Sequence, residues 1–224
     1  MPEISVRWQK KGVRSMKNKS VSRIALVILL CGFLPAVSSG QLITISISGQ
    51  VTNISDPCSH LENKIHIGDT ITGTYTYDSA TLDSNPDTTE GLFEYNTPPA
   101  GIYLSVGGFE FKTDINRVDF LLAVTNNNLT GDYYNILSRN NLPLPNGTLV
   151  QYINWELYDP TGIALSSDAL PLTAPDLSKW NSNLLRITHD RDFTIDATVT
   201  SAVLIPEPAT LLLIIFGVAI CKRR

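Results

Sequence analysis

The sequence has few cysteines and histidines, two of the residue types from which catalytic and metal centres are often built. Its 224 residues include three cysteines and three histidines, and no two histidines stand at a spacing typical of a metal-binding pair. A Gly-x-Ser-x-Gly nucleophile motif is also absent. These absences favour a non-enzymatic protein without a resident cofactor.

Cysteine is scarcest in the central part of the chain, where Cys58 is the only one. An internal disulfide is therefore excluded there, and an exported protein with one free thiol either pairs it with another chain or buries it. Because free cysteine is among the most buried residue types, we expect Cys58 to be buried or inert.

Positive charge is also scarce between Gln41 and Ile205. These about 165 residues contain seven Lys or Arg against nineteen Asp or Glu, a formal net charge of −12, whereas the whole chain carries −4. Such an acidic region repels nucleic acid and anionic membrane surfaces, so we expect no nucleic-acid partner. Its length suits one domain with a sizeable core.

The first forty residues have the order of a secretory signal peptide. A basic segment, residues 14–23, precedes an apolar run, residues 24–34, and small residues continue to Gly40. We predict cleavage after Gly40 or Ser38, with Met16 as an alternative start. A retained membrane anchor is the alternative, although the apolar run is shorter than the ~20 residues that span a bilayer.

The C-terminal residues 206–224 also consist of three distinct parts in sequence. An apolar run, residues 209–221, is preceded by Pro206, Glu207 and Pro208 and followed by Lys222, Arg223 and Arg224. A helix of this run would cover only ~20 Å at ~1.5 Å per residue, less than a bilayer requires. We predict a short, marginal transmembrane helix with its basic tip on the cytoplasmic side. A buried core helix is the alternative, but it does not explain a terminal helix that is apolar all round.

This three-part order resembles the PEP-CTERM sorting signal of Gram-negative bacterial surface proteins. The resemblance covers about the last twenty residues, and Cys221, just before the basic tip, departs from the pattern. It implies recognition by an exosortase, which is a membrane-embedded processing enzyme. It also implies removal of the tail and export from the inner membrane to the cell surface or extracellular matrix. It carries no implication about fold or activity.

The central region alternates apolar and polar residues with the period of two that is typical of β-strands. Turn sequences such as Asp56-Pro57 and Asn146-Gly147 separate these runs, and residues 117–125 are apolar enough for a central strand. We therefore predict one all-β domain over residues 41–205, an antiparallel, jelly-roll-like β-sandwich. The alternating runs include Ile43, Ile45 and Ile47, then Ile65, Ile67, Ile71, Tyr75 and Tyr77, and finally Phe193, Ile195, Ala197 and Val199.

One polar loop presents oxygen-bearing side chains at every second residue. Asp83, Asn85 and Asp87 are followed by Glu90, and calcium prefers such hard oxygen ligands. Because Thr88 stands where an EF-hand requires glycine, this loop is not an EF-hand. The sequence predicts either a looser calcium site or an ordinary solvated turn.

A second set of residues combines aromatic rings with hydrogen-bonding groups. Tyr152, Asn154, Glu156 and Tyr158 share one face of a predicted strand, a mixture that can hold a sugar ring. An ordinary outer sheet face is the alternative.

Together these features predict an exported, non-enzymatic cell-surface or extracellular-matrix protein. Its expected partners are an exosortase-type enzyme, the inner membrane during export, and an exopolysaccharide. The alternative function is a secreted carbohydrate-binding module or a glycosidase with a β-sandwich fold.

Overall fold

The computed structural model describes residues 40–190 and 192–206. Residues 1–39 of the predicted signal peptide, the predicted C-terminal helix and the motif residues Glu207, Pro208, Lys222, Arg223 and Arg224 lie outside the described residues. Within the described ranges, no helix has the length and apolar character needed to cross a bilayer.

Residues 40–190 and 192–206 form ten β-strands and one 3₁₀ turn, Leu177–Lys179. The prediction of an all-β domain is thus confirmed. The strands are β1 (Leu42–Ser55), β2 (Thr70–Asp78), β3 (Glu90–Tyr95), β4 (Gly101–Val106), β5 (Phe109–Lys112), β6 (Phe120–Asn128), β7 (Gly131–Ser138), β8 (Tyr152–Asp159), β9 (Ser182–His189) and β10 (Phe193–Ile205).

The ten strands belong to a single sheet in the order β3-β6-β7-β8-β9-β10-β1-β2-β4-β5. Every neighbouring pair is antiparallel. Backbone hydrogen bonds therefore connect all ten strands in one series, and the domain is not divided into two separate sheets.

Contacts between distant strands show that this sheet curls onto its own inner face. Tyr75 of β2 meets Trp155 of β8 edge to face, with ring centroids 5.9 Å apart. Its hydroxyl also lies 2.8 Å from the hydroxyl of Tyr134 in β7. Burial raises the pKa of both Tyr75 and Tyr134 well above the ordinary value. The curled sheet thus encloses the core between non-neighbouring strands.

Strand β1 shows how the alternating sequence produces this core. Ile43, Ile45 and Ile47 are buried, whereas the residues between them are partly exposed, as a strand with one covered face requires. The same reasoning fails for Ile67, which we expected on the buried face. Ile67 is 69% exposed because it lies in the turn before β2, which begins only at Thr70.

The first and last strands are paired along most of their length. Thr44 lies opposite Ile205 at one end of the ladder, and Ser55 lies opposite Thr194 at the other. The loop that leaves β1 is therefore brought beside the turn that enters β10.

Candidate functional site

The outer face of β7, β8 and β9 carries the four residues predicted to bind a ligand. Tyr152, Asn154, Glu156 and Tyr158 alternate along β8 with residues that are fully buried, so they point away from the core. Register brings further polar groups beside them, since Asn154 lies opposite Arg186 of β9.

This face contains a shallow, open hollow of about 500 Å³. Tyr152 and Asn154 line it, whereas Glu156 and Tyr158 lie outside its lining. The hollow is lined by Asn135, Leu137, Arg139, Tyr152, Asn154, Arg186 and Thr188. Two of the four predicted residues therefore contribute directly, and residues of β7 and β9 complete the surface.

Hydrogen bonds within the hollow and to residues beside it hold its polar groups in place. Asn135 donates its side-chain amide to Asn154 Oδ1 at 2.8 Å. Arg186 donates from Nε and Nη2 to the two carboxylate oxygens of Asp196, at 2.7 and 3.1 Å. Asn53 also donates to that carboxylate, at 3.3 Å. Such mutual bonding fixes the donors and acceptors that a ligand would meet.

The ion pair between Arg186 and Asp196 holds the pKa of Asp196 below its ordinary value, chiefly through the hydrogen bond from Arg186. Because the folded-state pKa is lowered, the stabilising contribution is present at neutral pH and is lost as the pH falls through that lowered pKa. The hollow should therefore keep its charge pattern under mildly acidic conditions.

Tyr158 is engaged at the far end of the face. Its ring stacks on Tyr133 with centroids 4.5 Å apart, and its hydroxyl donates to the carbonyl oxygen of Thr130 at 2.9 Å. One side of this ring is thus covered, so Tyr152 is the better platform for a ligand.

The acidic loop that was predicted to bind calcium folds around its own backbone. Asp83 Oδ1 accepts from the amides of Asn85 and Leu92, at 2.9 and 2.8 Å, and Asn85 donates to Glu90 Oε2 at 3.1 Å. The pKa of Asp87 is lowered, first of all by the backbone hydrogen bond from Thr89. These bonds describe a well-formed turn, and calcium binding here stays a prediction.

Calcium provides a direct test of this loop. If Asp83, Asn85, Asp87 and Glu90 bind it, millimolar calcium should raise the melting temperature, because a ligand at one hundred times its Kd stabilises the folded state by about 2.7 kcal/mol. Asp87→Asn should abolish this rise, whereas Glu62→Gln, which removes one charge from another loop, should preserve it. An unchanged melting curve for the parent chain would leave a plain turn.

The structure also brings together three residues that the sequence did not connect. Among the described residues, Cys58, His60 and Asp192 each place one ligand-type atom within 4.8 Å of the others. The expectation that Cys58 is buried is wrong, because its side chain is exposed. The core residues of this loop are instead Leu61 and Ile65, at 1% and 5% exposure.

Comparisons of the chain with protein-family models, with curated proteins and with solved structures give no match. Its function is therefore inferred from its own residues.

Proposed function

We propose that this chain is an exported, non-enzymatic cell-surface or extracellular-matrix protein that binds a polysaccharide through the hollow on β7, β8 and β9. The observation that carries the proposal is the combination of Tyr152 with fixed amide and guanidinium donors on an open sheet face. In this proposal the single curled sheet packs its inner face on itself in the manner of a jelly-roll-like sandwich, and its outer face displays the hollow.

The chemistry of the hollow suits a sugar better than an apolar ligand. Tyr152 and Leu137 offer apolar surface for the C–H face of a sugar ring, while Asn135 and Asn154 offer donors and acceptors for its hydroxyls. An open hollow can also accept a chain that continues in both directions, as a polymer does.

The charge of the hollow favours an uncharged saccharide. Arg186 is neutralised by Asp196, and Arg139 lies 3.4 Å from Asp119. Arg186 directs two of its five N–H donors at the carboxylate. The remaining donors can serve sugar hydroxyls without an unpaired positive charge.

Binding is favoured over hydrolysis by the state of Asp196. A glycosidase needs a carboxylic acid with a raised pKa as its proton donor, whereas the pKa of Asp196 is lowered by Arg186. Glu156 lies on the same face but outside the lining of the hollow.

The proposed route to the cell surface uses the two ends of the chain. The signal peptide would direct export, and an exosortase-type enzyme would recognise Pro206, Glu207 and Pro208 while the short apolar segment rests in the inner membrane. In support, β10 ends at Ile205 and Pro206 is exposed directly after it. The proposed motif therefore begins where the folded sheet ends.

Glycan binding by the purified full-length chain tests the proposed ligand. We expect saturable binding to polysaccharides on an array, and a loss of about tenfold in affinity for Tyr152→Ala, which corresponds to about 1.4 kcal/mol. Tyr103→Ala is the matched control, because Tyr103 of β4 is exposed to the same degree, 37% against 38%, yet lies outside the hollow.

Three results would contradict this proposal. Failure of the parent chain to bind any polysaccharide, or an equal loss for Tyr103→Ala, would remove the hollow as a binding site. Hydrolysis that disappears in Glu156→Gln would instead favour the glycosidase.

A further inference from the structure

We infer that Cys58, His60 and Asp192 form a binding site for a divalent transition metal of the zinc class. The site lies in the loop after β1 and the turn before β10, and it is independent of the saccharide hollow. The inference starts from the proximity of a thiol, an imidazole and a carboxylate within 4.8 Å of one another.

The fold explains why these three residues meet. Ser55 at the end of β1 lies opposite Thr194 of β10, so the residues just beyond each strand are neighbours. The carboxylate of Asp56 then accepts from the backbone amides of His60 and Leu61, both at 2.8 Å, which folds the loop back on itself. Cys58 and His60 are thereby held beside the turn that contains Asp192.

The ring of His60 is oriented by a residue from a third segment. Its Nδ1 lies 3.2 Å from the hydroxyl oxygen of Thr148, and its carbonyl oxygen accepts from the side chain of Asn146 at 2.8 Å. When Nδ1–H donates to Thr148, Nε2 keeps its lone pair, and this Nε2 lies 3.9 Å from Asp192 Oδ2. Metal-binding histidines are commonly fixed by such a bond from their other nitrogen.

Asp192 is also held by a partner outside the set of three. Nδ1 of His189 lies 2.8 Å from Asp192 Oδ2, and the amide of Asp192 donates to the carbonyl of His189 at 2.8 Å. His189 thus positions the carboxylate, as outer partners of metal ligands do.

The ligand types select the metal. Zinc accepts sulfur, nitrogen and oxygen ligands at about 2.0–2.3 Å in tetrahedral geometry, which places ligand atoms ~3.5 Å apart. Separations of 3.9 Å and up to 4.8 Å need only small side-chain rotations to reach that geometry. Calcium and magnesium are disfavoured because they prefer oxygen ligands. Three protein ligands leave a fourth position for water, in keeping with the exposed side chain of Cys58.

Binding requires the thiolate form of Cys58. The Sγ–H bond breaks, the sulfur donates its electron pair to the metal, and the proton passes to solvent, so binding should release one proton per site. No oxidant or reductant takes part in this step.

Cobalt(II) is the probe for this site. We would titrate the full-length chain, in a Cys31→Ser, Cys221→Ser background that leaves Cys58 as its only cysteine, under a reductant without thiols. We expect one cobalt per chain with a thiolate-to-metal charge-transfer band that zinc abolishes. Cys58→Ser should remove the band, and His60→Ala and Asp192→Asn should weaken binding.

Two further variants distinguish a built site from incidental binding to a thiol. Thr148→Val should weaken cobalt binding by about 10–100-fold while the circular dichroism spectrum is unchanged, because it removes only the partner that orients His60. His66→Ala is the matched control, since His66 lies in the same loop but outside the cluster, and it should bind cobalt like the parent. The inference is overturned if no charge-transfer band appears, if the band survives His60→Ala and Asp192→Asn at equal affinity, or if His66→Ala weakens it equally. Saccharide binding should be unaffected by Cys58→Ser, so failure here and failure of the proposed function are distinguishable.

Discussion

Replacement of Trp155 by alanine is expected to destabilise the domain by about 3–5 kcal/mol, the range for removing a large buried aromatic side chain. Trp155 is fully buried and meets Tyr75 and Tyr134 edge to face, with centroids 5.9 and 6.0 Å away. It therefore fills the space where β8 faces β2 across the curled sheet. Urea denaturation followed by circular dichroism measures the loss of stability. Tryptophan fluorescence is less suitable, because the substitution removes one of the tryptophans that it reports on.

The hydrogen bond of Trp155 allows a graded comparison. Its Nε1 donates to Asn183 Oδ1 at 2.9 Å. The side-chain Nδ2 of Asn183 in turn donates to the carbonyl oxygen of Val199 at 2.7 Å. Trp155→Phe keeps an aromatic ring but loses this donor, so it should cost less than the alanine variant. Thr188→Ala, on the outer face of the next strand, should change stability least. Equal midpoints for the parent and Trp155→Ala would contradict the packing described for the core.

Replacement of Pro206, Glu207 and Pro208 by alanine is expected to leave most of the protein in the inner membrane as full-length precursor. The following apolar segment is shorter than a stable transmembrane anchor requires. This short length favours a segment that serves as a processing signal. The measurement is immunoblotting of membrane and extracellular fractions from a host that expresses an exosortase.

A matched triple variant controls for this experiment. Thr198, Thr200 and Ser201 are exposed residues of β10 that lie just before the proposed motif, and their replacement by alanine should leave maturation intact. If the motif variant is matured and exported as well as the parent, the sorting proposal is wrong.

Alternation in the sequence identifies strands here because one face of each is buried. Residues of β1 and β8 alternate as expected, and β10 does so except at Asp196, which is buried. This local signal needs no knowledge of the neighbouring strands. Strand order is different, since it depends on which distant segments pair. The adjacency of β1 and β10, and the single curled sheet that follows from it, could not be read from periodicity.

In the candidate sites, too, residues that share one strand could be predicted from the sequence, whereas residues brought together by strand pairing could not. Tyr152 and Asn154 were found because they share one strand, whereas Arg186 was missed because its place depends on the register between β8 and β9. The grouping of Cys58 with Asp192 was missed because it depends on the pairing of β1 with β10. Cys58 was wrongly expected to be buried, because the average burial of free cysteines does not determine which residue of a turn faces the core.

The pairing of the first and last strands also determines how the domain would carry mechanical load. Thr44 and Ile205 lie at the same end of an antiparallel ladder, so tension between them would open that ladder one hydrogen bond at a time, like a zipper. A load applied at the end of β10 would likewise reach the pair of Thr44 and Ile205 first, because the pairing of β10 with β9 covers only Phe193–Ala197.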